Sequence, residues 1–181
     1  MTPQPTPFKP RPGRTHIIGI DPGLSGAVAI YNADPFIAPK DAVQVFDLPT
    51  YTVQRRGTKT RAHFHVEHLA PLIGMHCDKA ACAIIEKVGA APGSGTASMF
   101  RFGEGYGILQ GILAAWGVPT FLATPTVWKT RAGLLGADKL ASIAEAQRLF
   151  PHLPKETFFG PRGGKRDGRA EAILLTQVIR L

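Results

Sequence analysis

Four acidic residues sit where an ordinary fold has little use for them. Asp21 ends the apolar run Ile17-Ile18-Gly19-Ile20, and Glu86 ends a second, Ala83-Ile84-Ile85. Asp167 and Glu171 open an apolar C-terminal stretch, Asp167-Gly168-Arg169-Ala170-Glu171-Ala172-Ile173-Leu174-Leu175. A buried carboxylate is costly unless it is paired, hydrogen-bonded or bound to a metal. Asp167 and Glu171 are four residues apart, so on a helix they share a face, and Leu174, Leu175 and Val178 continue it. Like charges at that spacing repel, and a divalent cation turns the repulsion into attraction. Magnesium takes oxygen ligands in octahedral geometry and retains waters. Two such ions about 4 Å apart activate a water and stabilise the leaving oxygen of a phosphodiester. The alternative for the helix pair is that Asp167 caps the helix and Glu171 pairs with Lys165 or Arg169.

The elements that must position these groups follow from pattern. Residues 15–21 read as a buried strand, Pro22-Gly23 as a turn, and residues 26–31 and 42–48 as two further strands. The polar, basic segment 50–63 reads as a loop. Residues 64–77 have helical spacing, with Val66, Leu69, Leu72 and Ile73 on one face. Residues 81–88 are apolar on both faces, as in the centre of a covered sheet. A small-residue loop (89–96), a long helix (97–116), a strand (119–123), two helices (126–134 and 138–150), a Gly- and Pro-rich loop (151–166) and a last helix from about residue 168 complete the chain. The order predicts an α/β fold: a mixed five-stranded sheet with an antiparallel start and helices on both faces. Asp21 and Glu86 then end two strands, and they meet if those strands are neighbours.

Length and charge narrow the function. The chain has 181 residues and a formal net charge of +8. One domain over residues 15–181 is expected, preceded by a disordered, basic, Pro-rich arm over residues 1–14. The basic excess fits a polyanion. No apolar run is long enough to cross a bilayer, the arm lacks the apolar stretch of a secretory signal, and a cytoplasmic location is expected. Cys77 and Cys82 are expected in the core. His65 and His68 can share one helix face. No phosphate-loop motif appears: Gly103-x-Gly105-x-Gly107 lies inside a helical pattern and lacks the dinucleotide spacing, so no nucleotide cofactor is expected.

Three stretches, Ile18-Gly19-Ile20-Asp21-Pro22-Gly23, Ile84-Ile85-Glu86-Lys87-Val88 and Asp167-Gly168-Arg169-Ala170-Glu171-Ala172, resemble the RuvC-type Holliday-junction resolvases, the phage and chloroplast branch most of all. Phe102-Gly103-x-Gly105-Tyr106-Gly107 and Pro125-Thr126-Val127-Trp128-Lys129 are similar to that branch as well. The resemblance spans roughly residues 15–181. It implies an RNase H-like fold, a homodimer, two magnesium ions per site (with manganese as a substitute), and nicking of four-way branched DNA in the cytoplasm of a bacterium or phage-infected cell. It gives Asp21, Glu86, Asp167 and Glu171 catalytic, metal-binding roles. Many members carry Asp where this chain has Glu171; the chloroplast branch has Glu. The longer side chain carries its oxygens further from the helix.

The resemblance also marks Lys139, at a helix start, as a catalytic cation beside the scissile phosphate, the other reading being a solvated side chain. It marks Lys129, after Trp128, as a DNA contact. Trp128 itself is expected in core packing. Met99 and Phe100 follow the Glu86 loop and are candidate wedges between base steps, or else core residues of the next helix. Arg55, Arg56, Lys59, Arg61, Lys165, Arg166 and Arg169, with Arg162, are candidate phosphate contacts. The apolar, small-residue-rich helix 97–116 is the candidate dimer interface. The competing functions are another RNase H-like nuclease, acting on branched DNA or RNA–DNA hybrids, and a non-catalytic junction-binding protein.

Overall fold

The computed structural model describes residues 9–54, 61–89 and 95–179, with the side chains of Arg61 and Lys139 outside the description. β1 (His16–Ile20), β2 (Ala27–Asn32) and β3 (Val43–Asp47) form an antiparallel meander. β4 (Thr50–Val53) and β5 (Arg61–Phe64) form a separate hairpin. Helix α1 (Val66–Cys77), β6 (Ala80–Glu86), α2 (Thr96–Ala115) and β7 (Thr120–Ala123) follow. The chain then runs through α3 (Pro125–Arg131), α4 (Lys139–Leu149) and α5 (Asp167–Leu175). The main sheet has the order β3-β2-β1-β6-β7, with β6 parallel to both β1 and β7. This is the mixed five-stranded sheet expected from the sequence.

Side-chain alternation divides the interior into two cores. Ile18 and Ile20 of β1, Val28 and Ile30 of β2, and Ala83 and Ile85 of β6 pack against Leu69 and Ile73 of α1 and Leu109 and Leu113 of α2. Ile17, Ala27, Ala29, Cys82 and Ile84 point the other way, onto α4 and α5 through Ile143, Ala146, Ala170 and Ile173. Helices therefore cover both faces, which is why β6 reads as a continuous apolar run. Both cysteines are buried, and burial pushes each thiol up to about 11.

Helix α5 lies on the strand that ends in Asp21, and the approach is close enough to require glycine. A Cβ on Gly19 would sit 2.2 Å from the Ala172 carbonyl oxygen of α5. A Cβ on Gly168, at the start of α5, would sit 2.8 Å from the Asp21 Oδ2. At the outer edge, Arg169 of α5 donates through Nε and Nη2 to the Asp47 carboxylate of β3, at 2.6 and 2.7 Å. That fork holds the Asp47 carboxyl below the usual carboxylate range.

One expectation is corrected. The segment 50–63 is not all loop. Thr50-Tyr51-Thr52-Val53 is β-branched and aromatic, and it pairs from Thr50 opposite Phe64 to Val53 opposite Arg61. Tyr51 stacks on His63 at 5.7 Å, and His65 stacks on His68 at 3.8 Å across the start of α1. Arg55, Arg56 and Lys59 lie outside the described residues; Arg61 has only its backbone described, in β5. Within the stretch 1–14, Arg11 contacts the fold. The Arg11 backbone N–H donates to the Ala81 carbonyl at 2.8 Å. Its guanidinium donates to the carbonyls of Cys77 (2.9 Å), Gly117 (3.1 Å) and Trp116. One cation thus caps the C-terminal ends of α1 and α2, where unpaired carbonyls and the helix dipoles favour positive charge. Residues 1–8 lie outside the described residues.

Two stability measurements check these contacts. Gly19→Ala should destabilise the fold by about 3 kcal/mol or more, the upper range for an overpacked core, because backbone rather than a side chain must yield. Arg11→Ala should lower the urea unfolding free energy by about 1.5–3 kcal/mol. Arg11→Lys should restore little of it, because an ammonium cannot fork across three carbonyls.

Candidate active site

Parallel pairing of β1 and β6 sets Ile20 opposite Ile85. One residue further on, Asp21 leaves β1 beside Glu86, the last residue of β6. Helix α5 passes over this end of the sheet and brings Glu171 down beside them. Carboxylate oxygens of Asp21, Glu86 and Glu171 all lie within 4.8 Å of one another, each residue half-buried. Asp21 also accepts from the Gly23 backbone N–H at 3.3 Å, which ties its carboxylate to the turn after β1.

Three of the four expected carboxylates therefore converge. Asp167 is not in that trio, yet it is close enough to act on Glu171 electrostatically. The alternative pairing of Glu171 with Arg169 is not adopted, since that guanidinium is directed at Asp47. Asp167 is the first residue of α5, directly after the N-cap position Arg166.

Crowding has a direct electrostatic signature. Burial pushes the Glu171 carboxyl up to about 7; the charges of Asp21 and Glu86 add to the shift, Lys129 opposes it, and Asp167 adds to it. A hard cation relieves this crowding. Three carboxylates are the donor set that magnesium or manganese takes. Two oxygens on opposite sides of one Mg2+ stand about 4.2 Å apart, given a bond length of ~2.1 Å, so the observed spread needs only small side-chain rotations. The residues present fit a divalent metal.

Behind Glu86 opens a cleft of about 760 Å3, lined by Val88, Met99, Phe102, Tyr106 and Pro125 among others. Of the two wedge candidates, Met99 lines this cleft, and Phe100, in the first turns of α2, is 73% exposed. Burial raises the Tyr106 phenol, and its oxygen has no hydrogen-bond partner among the described residues. Lys129 stands over the Trp128 ring, 5.2 Å from its centroid. Lys139 is the first residue of α4, directly after the N-cap Asp138. Lys165 is exposed, and Arg166 donates to the Glu156 carbonyl at 3.2 Å.

Trp128 is buried, as expected, at 1% exposure. The sequence reading missed its polar end: the indole Nε1–H donates to Glu86 Oε1 at 2.9 Å. The signal was available, because a buried Trp N–H normally requires an acceptor and Glu86 was already placed in the interior. The Arg169–Asp47 fork was missed as well, and no spacing rule links residues that far apart.

No protein-family model and no curated protein matches the chain. The fold is nevertheless similar to that of RuvC. A structure of Thermus thermophilus RuvC matches with a TM-score of 0.47 at 14% identity, covering 90% of this chain and 91% of that one. A second, of T. thermophilus RuvC in complex with Holliday junction substrate, matches with a TM-score of 0.51 at 13% identity over the same shares.

Metal and proton should compete at Glu171. Its raised pKa means that the metal-free fold binds that proton more tightly than the unfolded chain does. The group's stabilising contribution is complete below the ordinary value of 4.5 and is lost as pH rises through about 7. Thermal melts should therefore show Mg2+ raising the melting temperature more at about pH 8 than at about pH 5.5, the window set by this linkage. Glu171→Gln should flatten that difference.

Proposed function

We propose that the protein is a homodimeric, structure-selective endonuclease that resolves four-way DNA junctions by paired, symmetric nicks. The observation that carries this reading is the convergence of Asp21, Glu86 and Glu171 at one end of a RuvC-fold sheet in a strongly basic chain. A RuvC structure of the same fold holds Holliday junction substrate, which supports the choice of DNA form.

On this reading, Asp21, Glu86 and Glu171, with Asp167 beside them, would hold two Mg2+ ions, for which Mn2+ would substitute. Such ions would supply an activated water and charge stabilisation at the leaving oxygen. The protein's own work is placement. Asp21 is fixed by the turn after β1 and Glu86 by the end of β6. Glu171 is fixed by the packing of α5. Lys139, opening α4, neutralises charge developing on the phosphate. Lys129, Lys165, Arg166 and the basic residues Arg55, Arg56, Lys59 and Arg61 contact backbone phosphates, which orient DNA without reading its sequence. Arg169 contributes chiefly through Asp47, by holding α5 against β3. The products are a 5′-phosphate and a 3′-hydroxyl, and the setting is the cytoplasm of a bacterium or phage-infected cell.

Two junction strands require two equivalent sites, which a two-fold dimer provides. Helix α2 supports this role. A Cβ on Gly103, Gly107 or Gly111 would meet open space, so one face of α2 presents bare backbone to a partner.

A cleavage panel tests the reading. With Mg2+, a synthetic mobile four-way junction should be nicked symmetrically, while flap, linear duplex and RNA–DNA hybrid are spared. Cutting of hybrid with no cutting of junctions would reverse the substrate assignment. Asp21→Asn should lower cleavage by about 100-fold or more, the scale for losing one preorganised electrostatic group, with junction binding retained in a gel-shift assay.

A further inference from the structure

Glu86 has a neighbour whose position is hard to explain by packing alone. β7 runs parallel to β6 and sets Ala123 opposite Glu86. The chain then turns at once into α3. Thr124 caps it, accepting from the Val127 N–H at 3.4 Å, and Pro125 fills its first position. That start directs α3 back over the end of β6. Its second turn carries two consecutive residues towards the carboxylates. Trp128 donates its indole N–H to Glu86 Oε1 at 2.9 Å. Lys129 lies above the indole ring at 5.2 Å from the centroid and acts on Glu171 through space.

We propose that Trp128 is a positioning residue of the metal site, its indole N–H holding the Glu86 carboxylate in the orientation that a divalent cation requires. This rests on the metal-dependent reading of the site given above. The case is geometric. Glu86 has its backbone fixed by pairing with Ala123 of β7, one residue past the last β1 pair, Ile20 with Ile85, but its side chain extends past the end of the sheet towards two other carboxylates. Like-charge repulsion drives such a side chain outwards. A single donor on a fully buried, two-ring side chain opposes that motion, because Trp128 belongs to the core cluster that also holds Leu134, Phe158 and residues of α4 and α5, and it has little room to follow. The bond engages one lone pair of one oxygen, which leaves the other oxygen open to a cation. Partners of this kind orient metal ligands and tune their basicity. The indole also gives Lys129 a face to rest on, so that one helical turn supplies both a donor for Glu86 and a positive charge near Glu171.

The test separates shape from hydrogen bonding. In full-length protein with Trp116→Phe, Trp128 is the one remaining tryptophan. It can then be replaced biosynthetically by β-(3-benzothienyl)alanine, which keeps the two-ring shape and lacks the N–H. Mn2+ binding is measured by calorimetry and by electron paramagnetic resonance, without DNA. The analogue protein should bind Mn2+ about tenfold or more weakly than its Trp128 parent, within the range for losing an outer partner of a metal ligand. Trp128→Phe should show at least the same loss. In the parent labelled with 15N at the indole, the Trp128 N–H resonance should shift on addition of Mg2+. Unchanged Mn2+ affinity in a folded analogue protein overturns the positioning role and leaves the metal site standing. Failure of the parent itself to bind Mn2+ overturns both.

Discussion

A missing side chain sets the geometry of this molecule. β1 can carry Asp21 to a shared site only if α5 lies almost on its backbone, and Gly19 is where the two meet. Any Cβ there would enter the Ala172 carbonyl at 2.2 Å. Gly168 repeats the device at the start of the helix, against the Asp21 carboxylate itself. Well-packed interiors respond to an extra methyl by shifting whole elements rather than by yielding locally. A shift of α5 would carry Glu171 with it. The distance between carboxylates contributed by a strand and by a helix is thus fixed by an absence on both.

Electrostatics acts on that frame. Three carboxylates arrive from β1, β6 and α5, and none of those elements alone would bring two of them together. Repulsion among them is opposed from outside the cluster. Arg169 binds Asp47 and ties α5 to the sheet's far edge, so the helix cannot lift to relieve Glu171. Trp128 restrains Glu86. Asp21 is tied through the Gly23 amide. The strain has gone instead into the proton affinity of Glu171, raised mainly by burial and then by its neighbours. A cluster of this kind, which could hold a small, highly charged ion, shows the strong perturbation of ionisable groups common at functional sites.

Much of this was legible in the sequence, and the reasons differ by residue. Asp21 and Glu86 stood out because each terminates an apolar run, and parallel neighbouring strands put such ends side by side. Glu171 followed from helical periodicity: residues 174, 175 and 178 continue its face, and all three are buried. The β4–β5 hairpin was hidden because its basic residues suggested a loop, although Thr50 to Val53 carries the β-branched and aromatic bias of a strand. Arg11 was hidden by its company, since a Pro-rich basic stretch reads as disordered whatever one arginine does. Its partners are main-chain carbonyls at two helix ends, and carbonyls leave no mark in a sequence. Trp128 was placed correctly in the core but without its acceptor, because burial and hydrogen bonding are separate questions for an amphipathic ring.

The distribution of charge gives the arrangement its logic. A net charge of +8 attracts any polyanion, but attraction alone does not bring a phosphate to three carboxylates, which repel it. Within a few ångströms that local repulsion outweighs the field of dispersed surface cations, because screening in water shortens the reach of the latter to about 8–10 Å. On the proposed reading, Asp21, Glu86 and Glu171 would hold a divalent ion, whose charge would offset that repulsion. The same logic makes the placement of the carboxylates matter more than their number. Oxygens a little too far apart would keep their repulsion without offering a cation a set of ligands.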